Sequence, residues 1–331
     1  MISSPIFVLG SSGFGGSSFV AHCIKEGLET YGFSRSSPPD EQFLPYKWNK
    51  NQSKFTFEQV DINKNLDNFF STCEKLKPRI VVNFSSQSMV GESWKNPEHW
   101  MRTNIESTTT LIKGLAQFDF LEKYIHFSTP EVYGSTEGWI KESFNFNPST
   151  PYAVSRAAGD MMAKLWHENF NFPVIFTRAA NIYGEGQQLY RIIPKTILFA
   201  LTGKKIPLHG GGLSSRAFIH MEDVSSAIFK IINNGEVGNT YHISPKECIT
   251  IKELVRMIGD LLQIKYEDLY EVSKDRVGKD QFYLLDSEYI IDKLGWSPSV
   301  TLENGIERVL DWIKSDINYF SKINTNYIHR E

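Results

Sequence analysis

A phenol, a guanidinium, a hydroxyl and a carboxylate stand close together in the middle of the sequence. Tyr152 and Arg156 are four residues apart at the start of a segment patterned as a helix, a spacing that puts both on one face. Just upstream, Ser128-Thr129-Pro130-Glu131-Val132-Tyr133-Gly134 follows the apolar run Tyr124-Ile125-His126-Phe127. As a strand of an open parallel sheet, that run delivers Thr129 and Glu131 to its C-terminal end, where such sheets gather ligands. Tyrosine, threonine and carboxylate together there can do acid–base work on a sugar hydroxyl. Any one of them alone is more often structural.

A second constellation opens the chain. Gly10-Ser11-Ser12-Gly13-Phe14-Gly15-Gly16 follows the apolar run Ile6-Phe7-Val8-Leu9 and leads into a helical pattern. Glycines 10, 13 and 16 recur every third residue. Their missing side chains let backbone amides approach a pyrophosphate, and the helix N-terminus adds positive potential. Ser12 and Phe14 fall within the same loop. At the end of the second strand stands Gly32-Phe33-Ser34-Arg35-Ser36, with no carboxylate for the ribose hydroxyls that NAD enzymes usually bind there. Ser34 and Arg35 suit a 2′-phosphate instead, which points to NADP(H) over NAD. Asp61-Ile62, after a third short strand, falls beside the adenine.

These residues need a scaffold, and the first half of the chain supplies one. Strands are expected at residues 6–9, 30–33, 80–84, 124–127 and 174–177, with helices at 18–29, 99–117 and 152–169 between them. Strands alternating with helices indicate a doubly wound α/β fold, a Rossmann-type parallel sheet covered on both faces. After about Arg178 the rhythm breaks, with Gly184, Gly186, Pro194, Pro207 and Gly210-Gly211-Gly212. We expect a Rossmann domain over 1–177, taking in about 215–243, and a smaller, loop-rich substrate-binding domain over most of 178–331. The cleft between them is the default ligand site.

In this order and spacing the sequence resembles the extended short-chain dehydrogenase/reductase family, and within it the nucleotide-sugar 4,6-dehydratases. The resemblance covers nearly the whole chain. It is carried by the GxxGxxG loop at Gly10, Asn83-Phe84-Ser85-Ser86-Gln87-Ser88, Asn104, Thr129–Gly134 and Pro151-Tyr152-Ala153-Val154-Ser155-Arg156. It continues through Arg178-Ala179-Ala180-Asn181-Ile182-Tyr183-Gly184, Ile193-Pro194, Arg216-Ala217-Phe218-Ile219-His220, Asp275-Arg276-Val277-Gly278-Lys279-Asp280 and Leu294-Gly295-Trp296. The resemblance implies that Tyr152 takes the proton from the sugar 4-hydroxyl, that Thr129 bonds that hydroxyl, and that Glu131 removes the C5 proton as water leaves from C6. It also implies that Phe84, Ser85, Ser86 and Asn104 serve the cofactor. Gln87, Ser88, Asn181, Arg191, Arg216 and Arg276 would hold the sugar nucleotide and its diphosphate. The Ser34–Ser37 stretch is most like the GDP-mannose enzymes and the Arg276–Asp280 region more like the dTDP-glucose enzymes, so the base stays open.

Two positions depart from the pattern. Arg156 stands where the family has lysine, keeping the charge but with a larger, planar head. Pro130 stands where dTDP-glucose enzymes carry an aspartate that protonates the departing C6 hydroxyl, which leaves Glu131 to do both tasks. The enzymatic rival is a C4 epimerase or reductase on the same scaffold; Glu131 argues for dehydration, because epimerisation needs no base at C5. A non-catalytic NADP(H)-binding sensor would account for the lost lysine but has no use for Asn181, Arg216 and Arg276.

Composition narrows the partners. The 331 residues are 41% hydrophobic and 22% charged, with 38 acidic and 35 basic side chains for a formal charge of −3. That balance argues against a nucleic-acid binder, no run is long enough to span a membrane, and no metal site is expected. Three scattered cysteines and an N-terminus without a basic n-region read as cytoplasmic. By resemblance, helices 99–117 and 152–169 pair across a two-fold axis into a homodimer. Their apolar positions (Ile105, Leu111, Ile112, Leu115; Met161, Met162, Leu165, Trp166) suit either that interface or the core.

Overall fold

The computed structural model describes residues 5–273 and 282–331. Strands β1 (Ile6–Leu9), β2 (Thr30–Ser34), β3 (Phe55–Gln59), β4 (Ile80–Asn83) and β5 (Lys123–Ser128) join Val174–Ala179 and Thr240–Ile243 in one sheet. Its order is Thr240–Ile243, Val174–Ala179, β5, β4, β1, β2, β3, with every neighbour parallel. The expected Rossmann-type sheet is therefore present. The order reverses between β1 and β4, and the crevice at such a reversal is where open parallel sheets bind ligands. Both faces are covered, by one apolar cluster around Ile6, Val8 and Ile125 and another around Phe7, Leu9 and Val81. Central strands buried on two sides read as unbroken apolar runs, which is why they were visible in the sequence.

Helix boundaries differ from expectation in instructive ways. Helix α1 spans Phe14–Lys25 instead of 18–29. The glycine loop feeds directly into it, with Gly13 as N-cap and Ser17 N donating to Gly13 O at 2.8 Å. It stops because Gly27, at φ 77°, turns the chain left-handed before β2. The segment expected as one regular helix at 99–117 is α-helical over Pro97–Met101, π-helical over Arg102–Ser107 and α-helical again over Thr108–Leu115. Thr108 Oγ1 donates to Thr103 O at 3.1 Å, five residues back, which fits the wide turn. The long helix runs Pro151–Phe170, with Thr150 capping Ala153 N at 3.1 Å and Pro151 in the first turn.

Beyond Ala179 the chain is built from helices more than loops. Ile192–Leu201, Ile251–Leu262 and Leu302–Ser315 pack through Ile193, Ile197, Leu254, Ile258, Ile306 and Val309. Of the glycines and prolines that suggested loops, Pro194 lies in the first turn of the first helix and Pro207 and Gly210–Gly212 lie between the first two, while Thr250 with Glu253 forms a capping box at the start of the second. The candidate dimer positions divide: Leu111, Ile112 and Leu115 are core residues, whereas Met161 and Leu165 are at least half exposed. Among the described residues, no helix is long and apolar enough to cross a membrane.

Candidate active site

The C-terminal ends of β1, β4 and β5 open into a cavity of about 620 Å³ shared with the helical half. Gly10, Gly13, Phe14 and Gly16 line one end, with Phe84, Ser86 and Ser88 beside them; Thr129, Glu131, Tyr152, Arg156, Asn181 and Arg191 line the rest. The two constellations found in the sequence thus face one space.

At the loop end the chain is held by close backbone approach. Gly10 sits at φ 79°, and a Cβ on Gly16 would fall 2.2 Å from Gly10 O. No side chain caps the N-terminus of α1. Glycines lining the cavity and uncapped first-turn amides fit the diphosphate of a dinucleotide. Ser34 Oγ accepts from Ser12 N at 2.9 Å, tying the end of β2 to the loop.

At the other end, Thr129 is the last residue before a tight turn, and its Oγ1 accepts from Glu131 N at 3.3 Å. Tyr152 is buried, with its hydroxyl beside the Thr129 side chain. Burial pushes the phenol above its ordinary pKa and Glu131 adds to this; Arg156, the neighbouring Thr129 side chain and Arg191 pull the other way without cancelling it. Arg156, 3% exposed, donates through Nη2 to Phe127 O. The guanidinium thus anchors on the strand end while facing the cavity.

Several expected residues lie outside the cavity wall. Asn104 is buried in the π-helical turn, with its amide spent on Gln87 N and O, at 2.9 and 3.0 Å, and on Ser155 Oγ at 2.9 Å. It clamps the loop that carries Gln87. Ser85 N donates to Asn83 Oδ1 at 2.8 Å. Asp61 accepts from Asn63 N at 2.9 Å, and Ile62 packs into the apolar cluster under the sheet. Arg216 holds its guanidinium 4.5 Å from the ring centroid of Tyr283, which does line the cavity. Arg276 lies outside the described residues.

Three features escaped sequence reading. Tyr283 donates to Asn181 Oδ1 at 3.1 Å, and only its place after the Arg276–Asp280 run could have drawn attention to it. Asp160, one turn beyond Arg156, is fully buried and paired with Arg178 at 2.9 Å. The segment 324–331 folds back beside the ends of β2 and β4: Arg35 Nη1 donates to Arg330 O and Glu331 O at 3.1 and 2.7 Å, and Gln87 Nε2 to Arg330 O at 2.8 Å. The His329 ring stacks on His99 and Trp100.

Comparison with known proteins gives a consistent picture. The family profile described as GDP-mannose 4,6 dehydratase matches residues 7–309. The chain is 32% identical to dTDP-glucose 4,6-dehydratase from Haemophilus influenzae, over 93% of this chain and 97% of that one. DesIV, the dTDP-glucose 4,6-dehydratase of Streptomyces venezuelae solved with NAD bound, superposes with a TM-score of 0.87 at 27% identity, covering 95% of this chain and 98% of that one. UDP-glucuronic acid 4-epimerase from Bacillus cereus shares the fold, with a TM-score of 0.85 at 24% identity over 94% and 99% of the two chains.

Proposed function

We infer the chemistry from one premise: the chain belongs to the GDP-mannose 4,6-dehydratase family. The function is that of a nucleotide-sugar 4,6-dehydratase, converting an activated hexose to its 4-keto-6-deoxy form with loss of water. The observation that carries this reading is Glu131 in the same cavity as Tyr152 and Thr129 and within electrostatic reach of the phenol. Oxidation at C4 alone needs the tyrosine; elimination across C5 and C6 needs a second base.

In this reading Thr129 holds the sugar 4-hydroxyl and Tyr152 accepts its proton. Arg156 keeps a positive charge beside the phenol and favours its ionised form. A bound nicotinamide dinucleotide supplies the hydride acceptor for C4 and the hydride donor for C6. Glu131 takes the C5 proton, made acidic by the neighbouring ketone, and passes it to the departing C6 hydroxyl, because Pro130 has none to give. Asn181, Arg191 and Arg216, with Arg276, bind the sugar nucleotide. Gly10, Gly13 and Gly16 cradle the cofactor diphosphate.

The sheet-bearing residues 1–177 with 215–243 form the cofactor part in this assignment, and most of 178–331 the sugar-nucleotide part. Arg35, where NAD enzymes place a carboxylate, supports NADP(H), although the solved relative DesIV holds NAD. Exposed Met161 and Leu165 on the long helix support a homodimer through that face. The free cysteines, two of them buried, support a reducing, cytoplasmic setting.

The test is mass spectrometry of the purified protein incubated with GDP-mannose, GDP-heptose, dTDP-glucose and CDP-glucose. Loss of one water from one of them is expected; an isomer of unchanged mass would make the protein an epimerase. Cofactor released from the same sample is identified directly as NADP or NAD.

A further inference from the structure

The long helix meets the end of β5 on three successive rungs. The Tyr152 hydroxyl lies beside the side chain of Thr129, Arg156 donates to the carbonyl of Phe127, and Asp160 Oδ2 accepts from Ser128 Oγ at 2.8 Å. Helix positions four apart share a face, so Tyr152, Arg156 and Asp160 together address Thr129, Phe127 and Ser128, three neighbours at the strand end. The third rung is the most heavily built. Asp160 is fully buried, and its Oδ2 also accepts from Arg178 Nε and Nη2 at 3.3 and 2.9 Å. Arg178 is itself fully buried, enclosed by the rings of Tyr133, Phe144 and Phe146 at 5.1, 5.2 and 5.0 Å, and donates to Tyr133 Oη at 2.6 Å. His126 Nε2 lies 3.2 Å from Asp160 Oδ1 without hydrogen-bond alignment.

A buried ion pair is a poor way to gain stability alone, since apolar side chains of similar volume usually serve as well. This one ends on the residue before Thr129 and one turn from Arg156. We propose that Asp160 is a positioning residue for the proton-transfer pair: through Ser128 it fixes the backbone that holds Thr129 against Tyr152. Its charge also offsets Arg178, leaving Arg156 and Arg191 as the cations that act on the phenol. The inference rests on Tyr152 being the base.

The charged and titratable groups around this junction are few. Arg156 on the same helix, Glu131 after β5, Arg191 and Tyr283 face Tyr152; His126 and Tyr124 on β5, Tyr133 in the turn after it, Arg178 on the neighbouring strand and Arg156 face Asp160. Removing the Asp160 charge leaves Arg156 and Arg178 unopposed, which eases ionisation of Tyr152. The pH limb on which activity rises with loss of the tyrosine proton should move to lower pH.

The experiment is steady-state water elimination across pH, with thermal unfolding, for Ser128→Ala, Asp160→Asn and Tyr152→Phe. Ser128→Ala keeps every charge and removes one hydrogen bond; kcat should fall about tenfold with KM unchanged. Asp160→Asn should lower kcat and shift the limb down by about half a pH unit. Wild-type kcat in Ser128→Ala, or an unmoved limb in Asp160→Asn, overturns the positioning role. Tyr152→Phe separates the two readings. An inactive variant leaves the positioning role to be judged by the other two, whereas an active one removes the base assignment and this proposal with it.

Discussion

The two ends of the cavity are held by opposite means. At the glycine-loop end the chain works by what it leaves out: Gly10 and Gly16 bring backbone against backbone, and no side chain caps α1. At the tyrosine end it works by side chains, with a phenol, a guanidinium and a carboxylate on one helix face addressing Thr129, Phe127 and Ser128 at the end of β5. In the function proposed above, the difference follows from what each end must do. A diphosphate is the same in every turnover and is met by fixed amides, whereas a proton in transfer needs groups whose charge and position are both controlled. The first solution tolerates no added atom and the second no lost charge.

Substitutions should therefore fail differently at the two ends. The largest effect is expected for Glu131→Gln, which keeps shape and removes the base: the rate of water loss should fall about a hundredfold or more, with binding of cofactor unchanged. Near wild-type 4-keto-6-deoxy product would refute the assignment. Gly16→Ala should do the reverse, since its methyl would meet Gly10 O at 2.2 Å. A destabilisation of about 2 kcal/mol and loss of copurifying cofactor are expected, read by thermal melting and by mass spectrometry of the released nucleotide. Arg35→Ala should weaken NADP about tenfold and NAD little, measured as the ratio of the two dissociation constants; equal losses for both would remove the 2′-phosphate role.

The smallest effect lies away from the cavity, where Glu185 joins the strand Phe218–His220 to the helix Leu302–Ser315. Burial raises its pKa, but bonds from His220 and Arg308 outweigh this and hold it at about 2 against an ordinary 4.5. A depressed carboxylate contributes stability that is complete above pH 4.5 and is lost as the pH falls toward about 2. Arg308 is 41% exposed on its side chain, so Arg308→Ala should cost only about 0.5 kcal/mol at neutral pH. The melting curves of wild type and variant should converge on acidification; a gap independent of pH would mean that charge is not the cause.

What the sequence disclosed follows the same division. The glycine loop and the central strands were legible because each is written in consecutive residues. Tyr152, Thr129 and Glu131 were legible because a strand end and a helix start lie close in the chain. Asp160 and Arg178 were not, since their meeting depends on Val174–Ala179 pairing with β5, which spacing cannot show. The π-helical turn at Arg102–Ser107 also escaped, because its apolar pattern reads as an ordinary helix while its geometry answers to Thr108 and to the Asn104 clamp on Gln87. Arg35 was read from local chemistry alone, without the distant segment whose carbonyls it bonds.

The sheet is closed on its Val174–Ala179 side only by Thr240–Ile243. In order of synthesis, the whole of 180–239 emerges between those two neighbours. Until the later strand arrives, the earlier one, buried at all six positions in the finished protein, shows a bare row of amides and carbonyls on a mostly apolar strand. Such an edge pairs readily with whatever strand it meets. A polypeptide cut anywhere within 180–239 should thus yield a self-associating fragment and not a smaller nucleotide-binding protein, even though every residue of the glycine loop would be present.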